Sequence, residues 1–305
     1  MALLCLFPHQ AMAAGATAAE FLNFGEGRAA AMSAASGSIA QDASALYWNP
    51  AGLAALESAD VYVSHNSLPL TLRNDFAGIA VPLQSPEIKG VLGYSVQALT
   101  QSAIPKIDDT GATVGDYSAV DMAHTVGFAT RWEDWRFGAS ARYIRESIDG
   151  DSGSSVAGNA GIQKDFGPLW TAGLSVSNIG RDLNLHSEPF PLPRTERAGA
   201  GLKLLDGELL FAGDISDILG IGVRGHVGAE YLLYPPRGSS SELFKNGGIR
   251  TRAGYTIGND KNDAFSGAAW GVSLDIRSFR ADFSYQPFGE LGNSLQFGLG
   301  YRFGQ

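Results

Sequence analysis

Apolar and polar residues alternate with a period of two along most of this chain. The end of the chain shows it best: Leu295, Phe297, Leu299, Tyr301 and Phe303 alternate with Ser294, Gln296, Gly298, Gly300 and Arg302. Such alternation predicts β-strands with one apolar and one polar face. We find fourteen such segments, at 59–66, 73–83, 89–100, 119–131, 134–146, 156–166, 169–178, 195–205, 208–216, 221–233, 248–257, 267–276, 279–287 and 294–303.

The lengths of these segments favour a membrane protein. Most of them suit the roughly 9 to 11 residues that a tilted strand needs to cross a bilayer, and they exceed the usual soluble strand of about 5 or 6. We therefore predict an all-β fold, a transmembrane antiparallel β-barrel of about 14 strands over residues 59–305. A soluble β-sandwich or solenoid is the alternative. It is less favoured because the second face carries mostly Gly, Ser, Ala and isolated charges.

The connections between segments support the same interpretation, because outer-membrane barrels have short turns on one side and long loops on the other. Tight links are predicted near 131–134, 166–169, 205–208 and 276–279, and longer ones near 100–119, 146–156, 178–195, 257–267 and 287–294. The region 216–248 breaks this alternation, by a miscounted strand or by a genuinely long turn. Aromatic residues at strand ends predict interfacial girdles: Trp132, Trp135, Phe166, Trp170, Tyr231, Tyr234, Tyr301 and Phe303.

Composition narrows the choice of partners. Glycine supplies 39 of 305 residues, which is roughly twice its usual share of about 7%. After the N-terminus no apolar run reaches the roughly 20 residues of a transmembrane helix, which argues against a helical membrane protein. The net charge is -9 and Lys and Arg do not cluster, which argues against a nucleic-acid partner.

The N-terminal residues predict export. A short apolar stretch ends in Ala11-Met12-Ala13, which is typical of a signal-peptidase site. We expect a signal peptide over residues 1–13. Because no Lys or Arg precedes the apolar stretch, the true start is expected upstream of Met1. Cleavage would remove Cys5, the only cysteine, so neither disulfides nor thiolate chemistry is expected.

Enzymatic motifs are sparse. The sequence has no G-x-S-x-G elbow, H-E-x-x-H motif, C-x-x-C pair or P-loop. We expect a protein that is not an enzyme and that has no cofactor and no metal site. One alternative stays open, namely a Ser-His-Asp hydrolase site on the barrel, because His65, His124 or His226 could meet a serine across strands.

The stretch "DASALYWNPAGLAAL", from Asp42 to Leu56, precedes the first predicted strand. Asn49 followed by Pro50 predicts a capped helix start, with the helix over Ala51 to Leu56. The side chains of Asp42 and Ser44 can bond nearby backbone amides and hold the turn. This start of a helix requires no transport role.

The longer stretch "FLNFGEGRAAAMSAASGSIAQDASALYWNPAGLAAL" resembles the N-terminal signature of the PorV/PorQ family, part of the wider FadL-like group of outer-membrane barrels. The matching residues are Phe21-Leu22, Gly25, Arg28, the small-residue run 29–37, Asp42 to Ala45, and Asn49 to Leu53. Further similarity lies in "LSVSNIG" (174–180), "LPRTERAGAGL" (192–202), "IRTRAGY" (249–255) and the closing "SLQFGLGYRF".

This resemblance implies a fourteen-stranded barrel whose residues 14–58 form a plug inside the lumen. The size of the barrel supports a plug. Eight strands leave room only for side chains and sixteen to eighteen leave an open channel, so fourteen strands should enclose a lumen that must be plugged or must leak. The candidate plug motif consists of Asp42, Ser44, Tyr47, Trp48, Asn49, Pro50, Gly52 and Leu53.

Strand parity predicts which charged residues face the lumen: Arg136, Arg142, Arg197, Lys203, Arg224, His226, Glu230, Arg250, Arg252, Asp275, Arg280, Asp282 and Arg302. Most of them are basic, so the inner wall is expected to be net positive. They would hold the plug by ion pairs, with Asp42, Glu20, Glu26 or Glu57 as partners, or they would select substrates.

The resemblance implies two functions in the bacterial outer membrane. The barrel passes small hydrophobic or amphipathic compounds, or it is a non-conducting component of a type IX-like secretion system that binds exported proteins or the translocon. The expected partners are outer-membrane lipid, a hydrophobic small molecule, and secretion-system or exported proteins. A continuous apolar tunnel lined by residues such as Phe24, Leu46, Tyr47 and Trp48 would favour transport, and a sealed plug would favour secretion.

Overall fold

Fourteen long antiparallel strands close into one barrel in the computed structural model, which describes residues 17–85, 88–185, 188–235, 244, 247–258, 267–288 and 292–304. The strands of the chain are β1 (Asp60–Ser67), β2 (Arg73–Gln84), β3 (Lys89–Ile107), β4 (Thr113–Trp132), β5 (Trp135–Ile148), β6 (Asp151–Phe166), β7 (Trp170–Gly180), β8 (Leu183–Leu185), β9 (Glu188–Phe190), β10 (Thr195–Leu204), β11 (Leu209–Ile218), β12 (Gly222–Tyr234), β13 (Gly248–Ile257), β14 (Ala268–Ile276), β15 (Phe279–Pro287) and β16 (Asn293–Arg302).

All strands except β8 and β9 form the barrel wall, and β8 pairs with β9 in a small separate hairpin. The first and last strands close the barrel, with Asp60 opposite Arg302 and Ser67 opposite Leu295. The predicted fourteen-stranded antiparallel barrel is therefore confirmed. The predicted signal peptide, residues 1–13, lies outside the described residues. Among the described residues, no helix is long and apolar enough to cross a membrane.

The alternation along each strand sorts side chains to the two faces of the wall. In β4, Ala123, Thr125 and Ala129 are buried on the inside, whereas Val126 and Phe128 are exposed on the outside. The exterior carries large apolar side chains around the whole barrel, which is the surface that lipid requires. The period-two pattern of the sequence thus corresponds to an apolar exterior and a lumen lined by small and polar residues.

The two ends of the barrel differ. We call the end that holds the links 132–135, 166–170, 204–209 and 276–279 the tight-turn end, and the opposite end the long-loop end. Outer-membrane barrels place their short turns on the periplasmic side. The predicted long connection before Gly248 is genuine: the strand count is correct, and this link lies at the tight-turn end, mostly outside the described residues.

Two predicted long loops are wrong. The region 146–156 is a two-residue turn between β5 and β6, in which Asp149 and Gly150 have φ of 47° and 91°. A type I′ hairpin turn needs positive φ at both central residues, so Asp-Gly here signals a hairpin rather than a loop. The region 100–119 is mostly strand, because β3 continues to Ile107 and β4 begins at Thr113. These strands of 19 and 20 residues exceed what a bilayer crossing needs.

The aromatic residues predicted for a girdle all lie at the tight-turn end. Trp132, Phe166 and Trp170 are about half exposed or more on the exterior. At the opposite end, Tyr255 and Trp270 are exposed in the same way. Aromatic side chains at both rims mark the two membrane–water interfaces.

Candidate luminal site

Residues 17–58, which we call the luminal segment, lie inside the barrel. The segment begins in the long-loop half, where the Ala18 amide donates to the Pro191 carbonyl, and it ends at β1 in the tight-turn end. It contains 3-10 helices over Glu20–Asn23, Gly27–Met32 and Pro50–Ala55 and one turn of α-helix over Ala45–Trp48. Because many of its side chains are small, the folded segment fits within the lumen.

Glycines of the inner wall make room for the luminal segment. Nine inward glycines on strands β3 to β14 leave no space for a Cβ, because it would lie within 3.0 Å of an atom of the luminal segment. They are Gly93, Gly127, Gly138, Gly161, Gly173, Gly201, Gly228, Gly254 and Gly271. The wall is therefore shaped to the backbone and short side chains of the segment.

The local structure around Asn49 has the predicted capping geometry, on a 3-10 helix that begins one residue earlier than the predicted helix. The Asn49 side chain accepts a hydrogen bond from the Ala51 amide at 3.1 Å, and Pro50 occupies the first turn. The Asn49 amide group also donates to the Gly37 carbonyl at 2.8 Å. Asn49 thus joins two parts of the segment to each other.

The other residues of the candidate motif are packed into the same region. Tyr47 donates to the Leu22 carbonyl at 2.9 Å, and the Trp48 ring nitrogen donates to the Glu26 carbonyl at 2.8 Å. Leu53 packs against the wall at Gly93. A Cβ at Gly52 would collide with the Ala40 carbonyl. The motif residues therefore fold the segment back on itself, and most of them are buried.

Asp42 connects the segment to the wall by an ion pair. Its carboxylate lies 3.0 Å from the Arg280 guanidinium and accepts hydrogen bonds from the Ser44 amide and hydroxyl. Burial alone would raise the pKa of Asp42, but Arg280 and Ser44 hold this pKa below its usual value. Asp42 therefore stays ionised in the lumen.

The eleven charged wall residues predicted as candidate site residues all lie on the inner side of their strands. Three of them bond directly to the luminal segment: Arg197 donates to the Ala34 carbonyl at 2.8 Å, Arg280 pairs with Asp42, and Glu230 pairs with Arg28 at 2.9 Å. Arg224 lines a cavity with Phe24 of the segment. The others mainly bind wall partners: Arg136 pairs with Asp165, Arg142 with Thr125 and Asn178, Arg250 and Arg252 with Glu230, Asp282 with Arg252, Asp275 with Arg250, and Arg302 with Asp60.

In one ion pair the charges are arranged opposite to the expectation. At Glu230 the wall supplies the carboxylate and the segment supplies the cation, Arg28. Arg250 and Arg252 are linked to Arg28 of the segment through Glu230, at 3.6 and 2.6 Å. The reason is that basic wall residues are compensated by acidic neighbours on adjacent strands, which strand parity alone does not reveal.

Glu26 forms a cluster with uncharged wall residues rather than an ion pair. It is fully buried, and its carboxyl accepts hydrogen bonds from Ser64, Asn74, Gln97 and Gln296, at 2.7, 2.5, 3.4 and 3.1 Å. Burial raises the pKa of Glu26 to about 8, although these hydrogen bonds lower it in part. Near neutral pH the segment therefore carries a protonated carboxyl in this cluster.

Two wall carboxylates that bind the luminal segment are not among the predicted site residues. Asp214 accepts hydrogen bonds from the Ser36 and Gly37 amides at 2.8 and 2.7 Å, and Asp60 accepts one from the Ala43 amide at 2.9 Å. Asp214 lies on the inward parity of β11, so the signal was present in the sequence. Its partners were not visible there, because they are backbone groups far along the chain.

The luminal segment separates cavities of different character. In the long-loop half, a cavity of about 230 Å³ exposes mainly apolar surface, from residues that include Phe24, Trp48, Leu68, Ile218, Ile221 and Phe288. Polar side chains, among them Arg224, His226 and Gln296, complete its lining. In the tight-turn half, two cavities of about 340 and 450 Å³ share Arg28, Ile39, Gln41, Asp275 and Arg280. The 3-10 helix Gly27–Met32 lies between the two halves, since Arg28 lines the polar cavities and Ala30 lines the apolar one.

Comparison with known proteins places the fold. No known protein-family description and no curated protein sequence matches this chain. Among solved structures, the Pseudomonas putida toluene transporter TodX is similar at 11% identity over 91% of this chain and 98% of that chain, with a TM-score of 0.62. The Ralstonia pickettii toluene transporter TbuX is similar at 12% identity over 92% and 99%, with a TM-score of 0.61. A Pseudomonas aeruginosa FadL homologue is similar at 12% identity over 88% and 96%, with a TM-score of 0.53.

The chain has a FadL-like barrel fold. Together with the closed barrel and its apolar exterior, this places the protein in the bacterial outer membrane, as predicted. The match extends over nearly the whole of both chains. The finer resemblance to the PorV/PorQ family stays a prediction.

Proposed function

We propose that this protein passes small hydrophobic compounds across the outer membrane, with the luminal segment as its plug. The apolar cavity in the long-loop half carries the proposal. It lies toward the long-loop end, which faces the cell exterior if short turns are periplasmic, and its lining includes aromatic and aliphatic side chains. Binding cavities for small hydrophobic molecules have this composition, with a few polar groups that fix orientation.

The plug role is supported by the arrangement of the cavities. A molecule in the apolar cavity meets Trp48 and the 3-10 helix Gly27–Met32 before it can reach the polar cavities below. Passage therefore needs a shift of the segment. The segment is held by hydrogen bonds and ion pairs to separate strands, and such contacts can exchange one at a time.

The names of the similar structures support the substrate class. TodX and TbuX are described as toluene transporters, and TodX also as a monoaromatic hydrocarbon channel. A cavity of about 230 Å³ suits a compound of that size better than a long-chain lipid. We therefore propose small aromatic or amphipathic compounds as substrates.

Uptake of radiolabelled toluene by intact Gram-negative cells tests the proposal. Cells that express the protein are expected to take up toluene faster than cells with an empty vector. Ile221→Arg places a charge in the apolar cavity and is expected to remove most of the gain. The matched control is Ile249→Arg, on the exterior face of β13 near the tight-turn end. Equal uptake with and without the protein would contradict the proposal.

A second candidate function is supported by the close seating of the segment. Inward glycines, Glu26 and three wall carboxylates hold the segment on all sides, as expected for a sealed barrel. In this alternative the protein is a non-conducting component of a type IX-like secretion system, of the PorV/PorQ type. Deletion of its gene would then leave exported proteins with C-terminal secretion-signal domains in the periplasm, whereas toluene uptake would not change.

A further inference from the structure

The exterior of the barrel carries a group of three polar residues that the transport proposal does not use. His65 and Ser67 lie two residues apart on the exterior face of β1, where inward positions are buried and outward positions exposed. Asp75 lies directly opposite His65 on β2. Cross-strand partners of this kind have Cβ atoms roughly 4.5–5.5 Å apart, so their side chains meet.

The atoms of this group have the order of a catalytic triad. The Asp75 carboxylate lies 2.6 Å from Nδ1 of His65, and the Ser67 hydroxyl lies 3.2 Å from Nε2 of the same ring. Both distances are within the hydrogen-bond reach that joins nucleophile, base and orienting acid. With its proton on Nδ1, His65 donates to Asp75 and accepts from the Ser67 hydroxyl.

The position of the group relative to the membrane suggests its substrate. Ser67 is opposite Leu295, which is opposite Tyr285, and Tyr285 packs on Trp270 with ring centroids 5.4 Å apart. Tyr and Trp rings mark the headgroup level of a bilayer. Toward the membrane centre, Val63, Phe297 and Leu299 form an exposed apolar surface. The serine therefore lies at the boundary between acyl chains and headgroups, where the ester bonds of lipids lie.

We propose that Ser67, His65 and Asp75 form a lipid-facing esterase site that releases ester-linked acyl chains from outer-membrane lipids. Arg73 is opposite Ser67 in the β1–β2 register and exposed on the same face. Its guanidinium can pair with a lipid phosphate or with the negative charge that develops on the ester oxygen. This activity goes beyond transport and departs from the sequence expectation that the chain is not an enzyme.

The reaction uses only lipid and water. The Ser67 oxygen attacks the ester carbonyl carbon while Nε2 of His65 takes the hydroxyl proton. The bond from carbon to the lipid alcohol oxygen breaks, and His65 returns the proton to this oxygen. Water then attacks the acyl-serine, again with His65 as base, and the fatty acid leaves as the serine regains its proton. Asp75 is a positioning residue, because it orients the ring and stabilises its charged form.

Fatty-acid release from proteoliposomes tests the proposal. The full chain is reconstituted in two kinds of vesicle, one of phosphatidylethanolamine with phosphatidylglycerol and one that also contains purified lipopolysaccharide with ester-linked acyl chains. Free fatty acids are measured by mass spectrometry. Release from either kind supports the site. Release from the first kind identifies phospholipid as a source, and release from the second kind alone identifies lipopolysaccharide. The absence of release from both would overturn the proposal.

Variants assign the activity to the triad. Ser67→Ala and His65→Ala are each expected to lower release at least about 10³-fold. Ser147→Ala is the matched control, since Ser147 has the exterior parity of β5 near the same rim and is opposite Val120 and Ser152. Heat-modifiable migration on gels verifies that each barrel has folded. Release that persists in Ser67→Ala would show that another group acts, and it would overturn the assignment.

Two further readouts separate chemistry from structure. A fluorophosphonate probe is expected to label Ser67 in the unaltered protein and no residue of this strand in Ser67→Ala. Asp75→Asn is expected to lower release about 10³-fold or more, and Asp75→Glu to restore part of it, which a merely structural role would not predict. Toluene uptake is expected to be unchanged in Ser67→Ala, so failure of the esterase proposal and failure of the transport proposal are distinguishable.

Discussion

Glu26 is the residue at which pH acts most directly on the luminal segment. Its pKa of about 8 in the docked segment exceeds its usual value near 4.5 because the carboxyl is buried. The docked form thus keeps a proton that an exposed Glu26 loses. Docking is fully favoured below about pH 4.5 and weakens as pH rises toward 8, by up to roughly 1.4 kcal/mol per pH unit in that window.

Glu26→Gln tests this effect because it keeps the shape of the side chain and removes its titration. We expect the open probability of the unaltered protein in planar bilayers to rise between pH 5 and 8, and that of Glu26→Gln to stay flat. Glu57→Gln, at an exposed position of the segment, serves as the control. Parallel pH profiles for the unaltered protein and Glu26→Gln would contradict the role of Glu26.

Gly161 shows how a single missing side chain shapes the lumen. A Cβ at this position would overlap the Asn49 side chain, which caps the 3-10 helix Pro50–Ala55. Gly161→Ala is therefore expected to displace Asn49 and to raise amide hydrogen exchange over residues 49–55. Gly158→Ala on the same strand is the control, since the nearest atom to its Cβ would be the Ile179 carbonyl at 3.8 Å. Equal exchange in both variants would argue against this tight fit.

At the scale of elements, the 3-10 helix Gly27–Met32 is anchored by a cation in a carboxylate network. Arg28 and Arg252 share Glu230, and Arg252 also binds Asp282 at 2.9 Å. Glu230→Gln leaves the partly exposed Arg28 without this charged partner, and it also breaks the buried pair between Glu230 and Arg252. Breaking a buried pair costs about 3–5 kcal/mol. We expect faster tryptic cleavage after Arg28.

Glu196→Gln is the matched control for this experiment, because Glu196 pairs with Arg194 near the long-loop rim, where the exposed charges are partly solvated. Its cleavage rate is expected to remain that of the unaltered protein. A rate in Glu230→Gln equal to that of the control would mean that Arg28 does not anchor the helix.

The elements differ in how much of them the sequence could predict. Strand number and facing followed from period two, because lipid and lumen impose opposite chemistry on neighbouring residues. The turn at Asp149 and Gly150 was misjudged, since the acidic "DGDSG" suggests a solvated loop although Asp-Gly also favours a type I′ turn. The contacts of Glu26 and Asp214 were not predictable, because they join residues more than 30 positions apart along the chain.

At the scale of the whole molecule, the two faces of the wall carry separate chemistry. Inward positions seat the luminal segment through glycines and buried polar groups, whereas the exterior positions of β1 and β2 place a serine, a histidine and an aspartate at the lipid boundary. Because successive residues of a strand point to opposite faces, one strand serves both. Ser64 binds Glu26 inside while His65 binds Asp75 outside.

The orientation of the barrel follows from its two ends and can be measured. If the tight-turn end is periplasmic, the exposed link between β3 and β4 faces the medium and the link between β4 and β5 does not. We introduce Asp109→Cys or Asp134→Cys in a Cys5→Ala background and treat intact cells with a maleimide polymer too large for porins. Asp109→Cys is expected to react at once, and Asp134→Cys only after the outer membrane is permeabilised. The reverse order would show that the barrel has the opposite orientation, with the apolar cavity on the periplasmic side and the Ser67 site in the inner leaflet.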